Sequence, residues 1–110
     1  MKLWIDDVRP APEGYIWVKS VRLGKWTIEK YEDMVRYGEE HNLRGKVVLE
    51  LIDIDHDAGD EENDGGDYIK LLDWLEETGR NYPIRIHSMN PVGRENMRAI
   101  IRRNGWTEVL

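Results

Sequence analysis

Short apolar runs alternate along this chain with longer amphipathic stretches, and this alternation limits the folds that it can adopt. Such runs are typical of buried parallel strands, and the longer stretches are typical of connecting helices. Three runs lead directly into polar clusters: residues 3–5 precede Asp6 and Asp7, residues 47–54 precede Asp55, His56 and Asp57, and residues 84–86 precede His87 and Ser88. Because ligands bind beyond the carboxyl ends of parallel strands, the clusters predict one site at one edge of a sheet.

Two further strands are predicted near the two ends of the chain. Residues 15–18 combine aromatic and β-branched side chains, which favour strands, and residues 106–110 are long enough for a last strand. Residues 9–14 contain two prolines and a glycine, so we expect no helix between the first two strands. Residues 47–54 are almost continuously apolar, which predicts a central strand that is covered on both faces.

Three helices separate the later strands. The first is predicted to run from Ser20, as its N-cap, to about residue 41, and Thr27 is a rival start because Gly24 weakens the first turn. Apolar residues 68, 71, 72 and 75 form the stripe of a second helix, after an acidic loop. Asn90-Pro91 predicts the start of a third helix, with proline at its first position. The predicted order is β-β-α-β-α-β-α-β.

Composition narrows the classes of function. Cysteine is absent, which excludes disulfides and thiolate chemistry, and the net charge of −6 argues against general DNA or RNA binding. No apolar run approaches the roughly 20 residues of a membrane span, and no signal peptide is visible, so we expect a cytoplasmic protein without membrane contact. The chain has five Trp and five Tyr but no Phe and no Gln, which leaves an engineered origin open.

The acidic residues of the predicted edge favour a divalent cation. Asp6, Asp7, Asp55 and Asp57 would stand close together, and crowded carboxylates either raise one another's pKa or bind a counter-ion. Hard cations prefer oxygen ligands, so Mg²⁺ or Mn²⁺ is the predicted cofactor. A plainer interpretation of Asp6 and Asp7 is a solvated strand end before the proline-rich loop.

A phosphate group is the predicted partner of that cation. The third helix would direct its free backbone N–H groups to the same edge, and its basic arginines leave a local phosphate contact open. His56 and His87 are the predicted acid and base, because imidazole exchanges protons near neutral pH. The predicted phosphate contacts are Ser88, Asn90, Gly93 and Arg9. Each histidine has a structural alternative, and Ser88 has an alternative role as a helix cap.

Asp53, Asp55 and Asp57 also match the first half of a calcium-binding EF-hand loop. The glycine that should follow is Ala58, and the closing glutamate position holds Asp64. A strand rather than a helix precedes the segment, so an EF-hand is not predicted.

The positions of the polar residues resemble the response-regulator receiver domain. The resemblance implies that Asp6 and Asp7 hold Mg²⁺, that Asp55 accepts a phosphoryl group, and that Ser88 is the switch hydroxyl. It implies an α/β fold within a single domain, residues 1–110, with a doubly wound, five-stranded parallel sheet in the order 2-1-3-4-5. Relative to receiver or flavodoxin-like folds, the first and last helices are reduced or absent. The receiver lysine after the last strand is missing.

The chain is more similar to the cyclic-phosphate-processing receiver-like domain. The similarity rests on three motifs: Leu3-Trp4-Ile5-Asp6-Asp7-Val8-Arg9-Pro10, Asp55-His56-Asp57 followed by Gly59, and His87-Ser88-x-Asn90-Pro91. Asp53 departs from the small or neutral residue of that family, and we expect it to disturb the end of its strand.

These observations leave three functions open. The first is a metal-assisted phosphoesterase that acts on cyclic or terminal phosphates of a nucleotide or RNA end, as the closer resemblance implies. In it, Asp55, His56 and His87 are the predicted catalytic residues. The second is a receiver-like signalling or binding module that is phosphorylated on Asp55. The third is an inactive engineered scaffold.

Overall fold

A parallel sheet of four strands and three α-helices forms the protein. The computed structural model describes all 110 residues. The elements are β1 (Lys2–Ile5), β2 (Tyr15–Val18), α1 (Val21–Glu40), β3 (Leu51–Ile54), a 3₁₀ helix (Gly59–Asp64), α2 (Ile69–Glu77), β4 (Ile84–Ile86) and α3 (Pro91–Asn104). The 3₁₀ helix lies where a loop was predicted. No helix is long and apolar enough to cross a membrane.

The sheet has the order β2-β1-β3-β4, and all neighbouring strands are parallel. The predicted α/β fold with a parallel sheet and three helices is therefore confirmed, whereas the fifth strand is not, and the sheet is not doubly wound because the three helices pack on one of its faces. The segment after α3 makes one parallel bridge, between Ile84 and Glu108. The N–H of Val109 donates to the carbonyl of Ile84 over 2.8 Å. Because β4 has only three residues, it offers this segment a short edge.

β3 is shorter than its apolar sequence predicts, because it begins at Leu51 rather than at residue 47. β1 begins at Lys2, so the residues before β3 meet only Met1, whose carbonyl accepts from the N–H of Glu50 over 2.8 Å. Val47 and Val48 are about half exposed. Apolar residues alone did not extend the strand, since no neighbouring strand reaches them.

α1 begins where the N-cap prediction places it. The Ser20 side chain accepts from the N–H of Leu23 over 3.2 Å, so the rival start at Thr27 is wrong. Gly24 is buried against α2, where an added Cβ would lie 3.2 Å from a methyl group of Leu71. The glycine that weakens the first turn therefore allows the two helices to approach closely.

The two faces of the sheet are different. One face packs with residues of all three helices into a single core, to which the strands contribute Leu3, Ile5, Val18, Ile52, Ile54 and Ile84. The alternate strand residues point the other way and lie outside this core, because side chains alternate along a strand. We call this second face the outer face; its residues are Lys2, Trp4, Tyr15, Trp17, Leu51, Asp53 and Arg85.

All four residues of β3 are buried, as predicted for a central strand. On the outer face, however, side chains rather than a helix provide the cover. Asp53 is 1% exposed there, and His87 and Arg85 approach it from the neighbouring strand and its extension. The Asp53 carboxylate of this strand therefore contacts side chains of the neighbouring strand and its extension.

Candidate functional site

Asp6, Asp55 and His87 meet at the carboxyl edge of the sheet. Each follows directly on a strand and extends its ladder by one hydrogen bond, from its own N–H to the carbonyl of Val18, Ile5 or Ile54, over 3.2, 2.9 and 3.0 Å respectively. One ligand atom from each of the three side chains lies within 4.8 Å of the other two. The backbone of the sheet therefore holds three potential metal ligands in one place.

Asp6 is buried in a turn that its own side chain stabilises. Its Oδ1 accepts from the N–H groups of Val8 and Arg9, each over 2.9 Å, and its Oδ2 lies 2.9 Å from Nε2 of His87. Burial acts to raise the pKa of Asp6, but the two N–H groups and the His87 ring outweigh it and lower this pKa. Asp6 therefore stays ionised.

His87 is held between two buried carboxylates. Its Nδ1 lies 2.7 Å from Oδ1 of Asp53, opposite the contact between its Nε2 and Asp6. The ring stacks on Trp4, with 3.9 Å between centroids and 4° between planes. Burial acts to lower the pKa of His87, whereas the carboxylates of Asp53 and Asp6 raise it, and the net effect is a raised pKa. Both nitrogens can donate together only when the ring is protonated.

Asp53 does not disturb the end of its strand, so that expectation is wrong. It pairs in register with Trp4 on β1 and with Arg85 on β4, and Nη1 of Arg85 lies 3.9 Å from its Oδ2. A buried carboxylate needs a partner, and here the His87 ring supplies one. Asp53 thereby fixes the orientation of His87, a role that the sequence analysis missed.

The negative charge of Asp55 is less well compensated by hydrogen bonds and nearby positive charge than that of Asp6. Its Oδ1 accepts from the N–H of His56 over 2.8 Å. Burial raises the pKa of Asp55, and the nearby negative charge of Asp6 adds to this effect. The His56 N–H, the His87 ring and the Ser88 hydroxyl oppose it without cancelling it. A bound cation would relieve the repulsion between the two carboxylates.

The donor set fits a divalent metal ion. Two carboxylates and one imidazole converge from three strand ends, and Asp53 supports the imidazole from behind. A histidine whose second nitrogen donates to a carboxylate is a common arrangement behind metal sites. The residues present can therefore hold a cation such as Mg²⁺ or Mn²⁺.

Asp7 and Asp57 are not brought into this group. The Asp7 carboxylate lies against Gly59, whose φ is +54° and where an added Cβ would overlap Oδ2. Asp57 is 62% exposed, and its Oδ1 lies 2.8 Å from Nδ1 of His56. Asp7 thus contacts the loop after β3, and Asp57 contacts His56.

His56 lies between the acidic group and the start of α3. Its ring packs on Gly93 so closely that an added Cβ there would overlap it. Asp57 engages Nδ1, and Nε2 makes no hydrogen bond within the protein. The imidazole is therefore held by two contacts while one nitrogen stays available for proton exchange.

The predicted phosphate contacts have roles in the first turn of α3 or beside it. The Asn90 side chain accepts from the N–H of Gly93 over 3.0 Å, and the Ser88 hydroxyl accepts from the N–H of Asn90 over 3.1 Å. These bonds satisfy N–H groups that an anion would otherwise use. Arg9 is exposed next to Asp6, and Nε of Arg94 is buried without a hydrogen-bond partner.

A cavity lies elsewhere on the protein. Its volume is about 510 Å³, and it is formed by the second half of α1 and residues 42–47, with Tyr31, Met34 and Val47 among its lining residues. None of the acidic or histidine residues of the candidate site lines it. The candidate site is thus separate from this cavity, and its Asp6 and His87 side chains are 1% and 10% exposed.

A family model described as the cyclic-phosphate processing Receiver domain matches residues 1–103. The chain belongs to this family. No curated protein and no solved structure matches the chain. The match extends over all four strands and contains Asp6, Asp55 and His87. The protein is therefore a receiver-like α/β domain associated with cyclic-phosphate processing.

Membership of the cyclic-phosphate processing receiver family agrees with the motifs at the strand ends. The strand ends place Asp6 and Asp55 together, as in receiver domains, which bind Mg²⁺ through aspartates. Residues 106–110 contain no lysine, although receivers carry one after the last strand. His87 contributes the third side chain of the group.

Proposed function

We propose that the protein is a metal-assisted phosphoesterase that acts on cyclic or terminal phosphates of a nucleotide or an RNA end. The observation that carries this proposal is the convergence of Asp6, Asp55 and His87 beside a second histidine, His56. A signalling receiver needs carboxylates and a lysine, and has no use for two histidines at the same edge.

Asp6, Asp55 and His87 would hold the cation. When bound, the cation would polarise a phosphoryl oxygen and neutralise part of the charge of the ester. Mn²⁺ suits this set better than Mg²⁺, because Mg²⁺ prefers oxygen ligands and the set includes a ring nitrogen. Asp53 would keep the proton of His87 on Nδ1, so that Nε2, which lies against Asp6, would be free to bind the cation.

His56 is the side chain best placed to transfer a proton. His87 was the other predicted acid or base, but both its nitrogens face buried carboxylates. We therefore assign His87 to binding of the cation rather than to proton transfer. Asp57 orients His56 through Nδ1, and Nε2 can then exchange a proton with water or with the leaving oxygen. The contact with Gly93 sets the distance between this imidazole and the start of α3.

Arg9 would bind the phosphate, which would lie beside the first turn of α3. Arg9 is exposed at the turn that Asp6 stabilises, and its backbone is fixed there by hydrogen bonds through both its N–H and its carbonyl. Ser88, Asn90 and Gly93 contribute indirectly, since they shape the first turn of α3. In this proposal the phosphate lies between Arg9 and that turn.

Turnover of 2′,3′-cyclic nucleotides and chromogenic phosphodiesters, measured with Mn²⁺, Mg²⁺ or chelator, tests the proposal. We expect turnover that requires the cation and that falls by at least about a hundredfold in His56→Ala, the usual scale for a general acid or base. Asp55→Asn should abolish it. Asp60→Asn is the matched control, because Asp60 is an exposed carboxylate in the nearby 3₁₀ helix.

Labelling with acetyl phosphate separates the enzyme from the signalling module. A phosphoryl group that is retained on the wild type and lost in Asp55→Asn, without any turnover of esters, would overturn the phosphoesterase proposal in favour of a receiver. If the protein is neither labelled nor active on esters, the phosphoesterase proposal fails and the inactive scaffold is favoured.

A further inference from the structure

The outer face of the sheet carries aromatic rings next to the candidate site, of which the Trp17 ring is exposed. Trp17 lies on the edge strand β2 and is 37% exposed, and Tyr15 precedes it on the same face. Each ring has a lysine above it: Nζ of Lys19 is 4.4 Å from the Trp17 centroid, and Nζ of Lys2 is 5.4 Å from the Tyr15 centroid. Aromatic rings accompanied by cations are the usual platform for nucleobases and their phosphates.

This platform is continuous with the candidate site. The indole Nε1 of Trp17 donates to the backbone carbonyl of Asp6 over 2.7 Å. Trp4, the register partner of Trp17 on β1, stacks on His87. The exposed ring is therefore anchored to the residue that contributes a carboxylate to the site.

The charge of the outer face differs from that of the protein as a whole. The chain carries a net charge of −6, yet the charged strand residues of this face that reach solvent are the partly buried Lys2 and the exposed Arg85. Asp53 is the acidic strand residue of this face, and it is buried against His87. These two cations favour an anionic ligand at this face.

We propose that Trp17 stacks on the nucleobase of the substrate, which makes the substrate class a nucleotide or the end of an RNA strand. The inference rests on the proposed phosphoesterase function. Lys19 and Lys2 contact phosphates or ribose hydroxyls next to the stacked base. A second copy of the chain on the same face is the alternative that the experiment must exclude.

Binding of adenosine 5′-monophosphate and of ribose 5-phosphate, each measured by titration calorimetry with Mn²⁺, tests this proposal. The two probes share a sugar and a phosphate and differ in the base. We expect the nucleotide to bind at least about fivefold more tightly than the sugar phosphate, the lower end of the stacking contribution of one base. Trp17→Leu should remove this difference and leave the affinity for ribose 5-phosphate unchanged.

Two further variants complete the design. Trp17→Phe keeps an aromatic ring without the indole N–H, so it should retain most of the difference and shows whether the fold tolerates the loss of that hydrogen bond. Trp26→Leu is the matched control, because Trp26 is 56% exposed on α1 with Nζ of Lys30 at 6.0 Å from its ring. It should behave like the wild type.

Equal affinity of the wild type for the two probes would overturn the inference, as would equal losses in Trp17→Leu and Trp26→Leu. A sedimentation velocity shift from dimer to monomer in Trp17→Leu, with nucleotide affinity unchanged, would assign the face to a second copy. If the base preference is present but no ester is hydrolysed, the phosphoesterase proposal fails and the base-binding face stands. If esters are hydrolysed without a base preference, the phosphoesterase proposal stands and the assignment of Trp17 to base stacking fails.

Discussion

The Nδ1 atom of His87 lies 2.7 Å from Oδ1 of Asp53, a carboxylate that is 1% exposed on β3. This contact fixes the orientation of the imidazole, whose other nitrogen faces the carboxylate of Asp6. The proposed cation site thus depends on a residue that is not itself one of the three ligands.

Asp53→Asn should weaken Mn²⁺ binding by about 10- to 100-fold, the usual cost of losing the partner behind a histidine ligand. The amide keeps the size of the side chain, but it removes the negative charge that holds the Nδ1 proton of His87. The measurement is the Mn²⁺ dissociation constant from calorimetry. Asp33→Asn, in an exposed carboxylate of α1, is the control and should bind Mn²⁺ as the wild type does. Equal affinities in the two variants would show that Asp53 has no such role.

Gly93→Ala should lower the free energy of unfolding by about 1–3 kcal/mol, the cost of overpacking. The new methyl group would overlap the His56 ring. The matched control is Gly38→Ala in α1, where no atom lies within 4 Å of the added Cβ. That variant should gain up to about 1 kcal/mol, because alanine favours helix more than glycine does. Urea unfolding of both variants gives the comparison, and a stabilised Gly93→Ala would contradict the close packing of His56.

How much of the site the sequence could predict depends on strand ends and on side-chain alternation. Asp6, Asp55 and His87 each follow a strand directly, so their convergence followed from a parallel sheet. Asp7 is the neighbour of Asp6 and points away from the group. Side-chain alternation predicts that Asp6 and Asp7 point in different directions. Which of the two points into the site depends on the residue at which the strand ends, and the sequence does not show that residue.

The role of Asp53 could not be predicted, because it depends on pairing between distant strands. The sequence shows a carboxylate within an apolar run, and only the register of β3 with β4 places His87 beside it. The same limit applies to the length of β3. Its apolar sequence continues toward residue 47, but a strand also needs a neighbour, and β1 ends the pairing at Lys2.

The Glu76 carboxylate provides a pH test of the packing between α2 and α3. The hydrogen bonds from Arg103 and then from Asn104 lower the pKa of Glu76 from 4.5 to about 2. A carboxyl group with a lower pKa in the folded state stabilises the fold above the unfolded value, and this stabilisation is lost as the pH falls from 4.5 to about 2.

Arg103→Met should therefore raise the pKa of Glu76 toward 4.5 and flatten the dependence of stability on pH in that window. Titration of the carboxyl carbon by NMR measures the pKa. Arg102→Met is the control, since Arg102 pairs with Glu95 at 3.8 Å and should leave the Glu76 titration unchanged. An unaltered Glu76 titration in Arg103→Met would contradict the contact between the two helices.

The central claim is that Asp6, Asp55 and His87 bind one divalent cation. Anomalous scattering from crystals soaked with Mn²⁺ tests it most directly, because the position of the metal is observed without reference to activity. We predict one strong peak within bonding distance of both carboxylates and of Nε2 of His87, and no such peak in crystals of Asp55→Asn. A peak among the acidic residues of the 3₁₀ helix alone, or no peak at the three side chains, would contradict the claim.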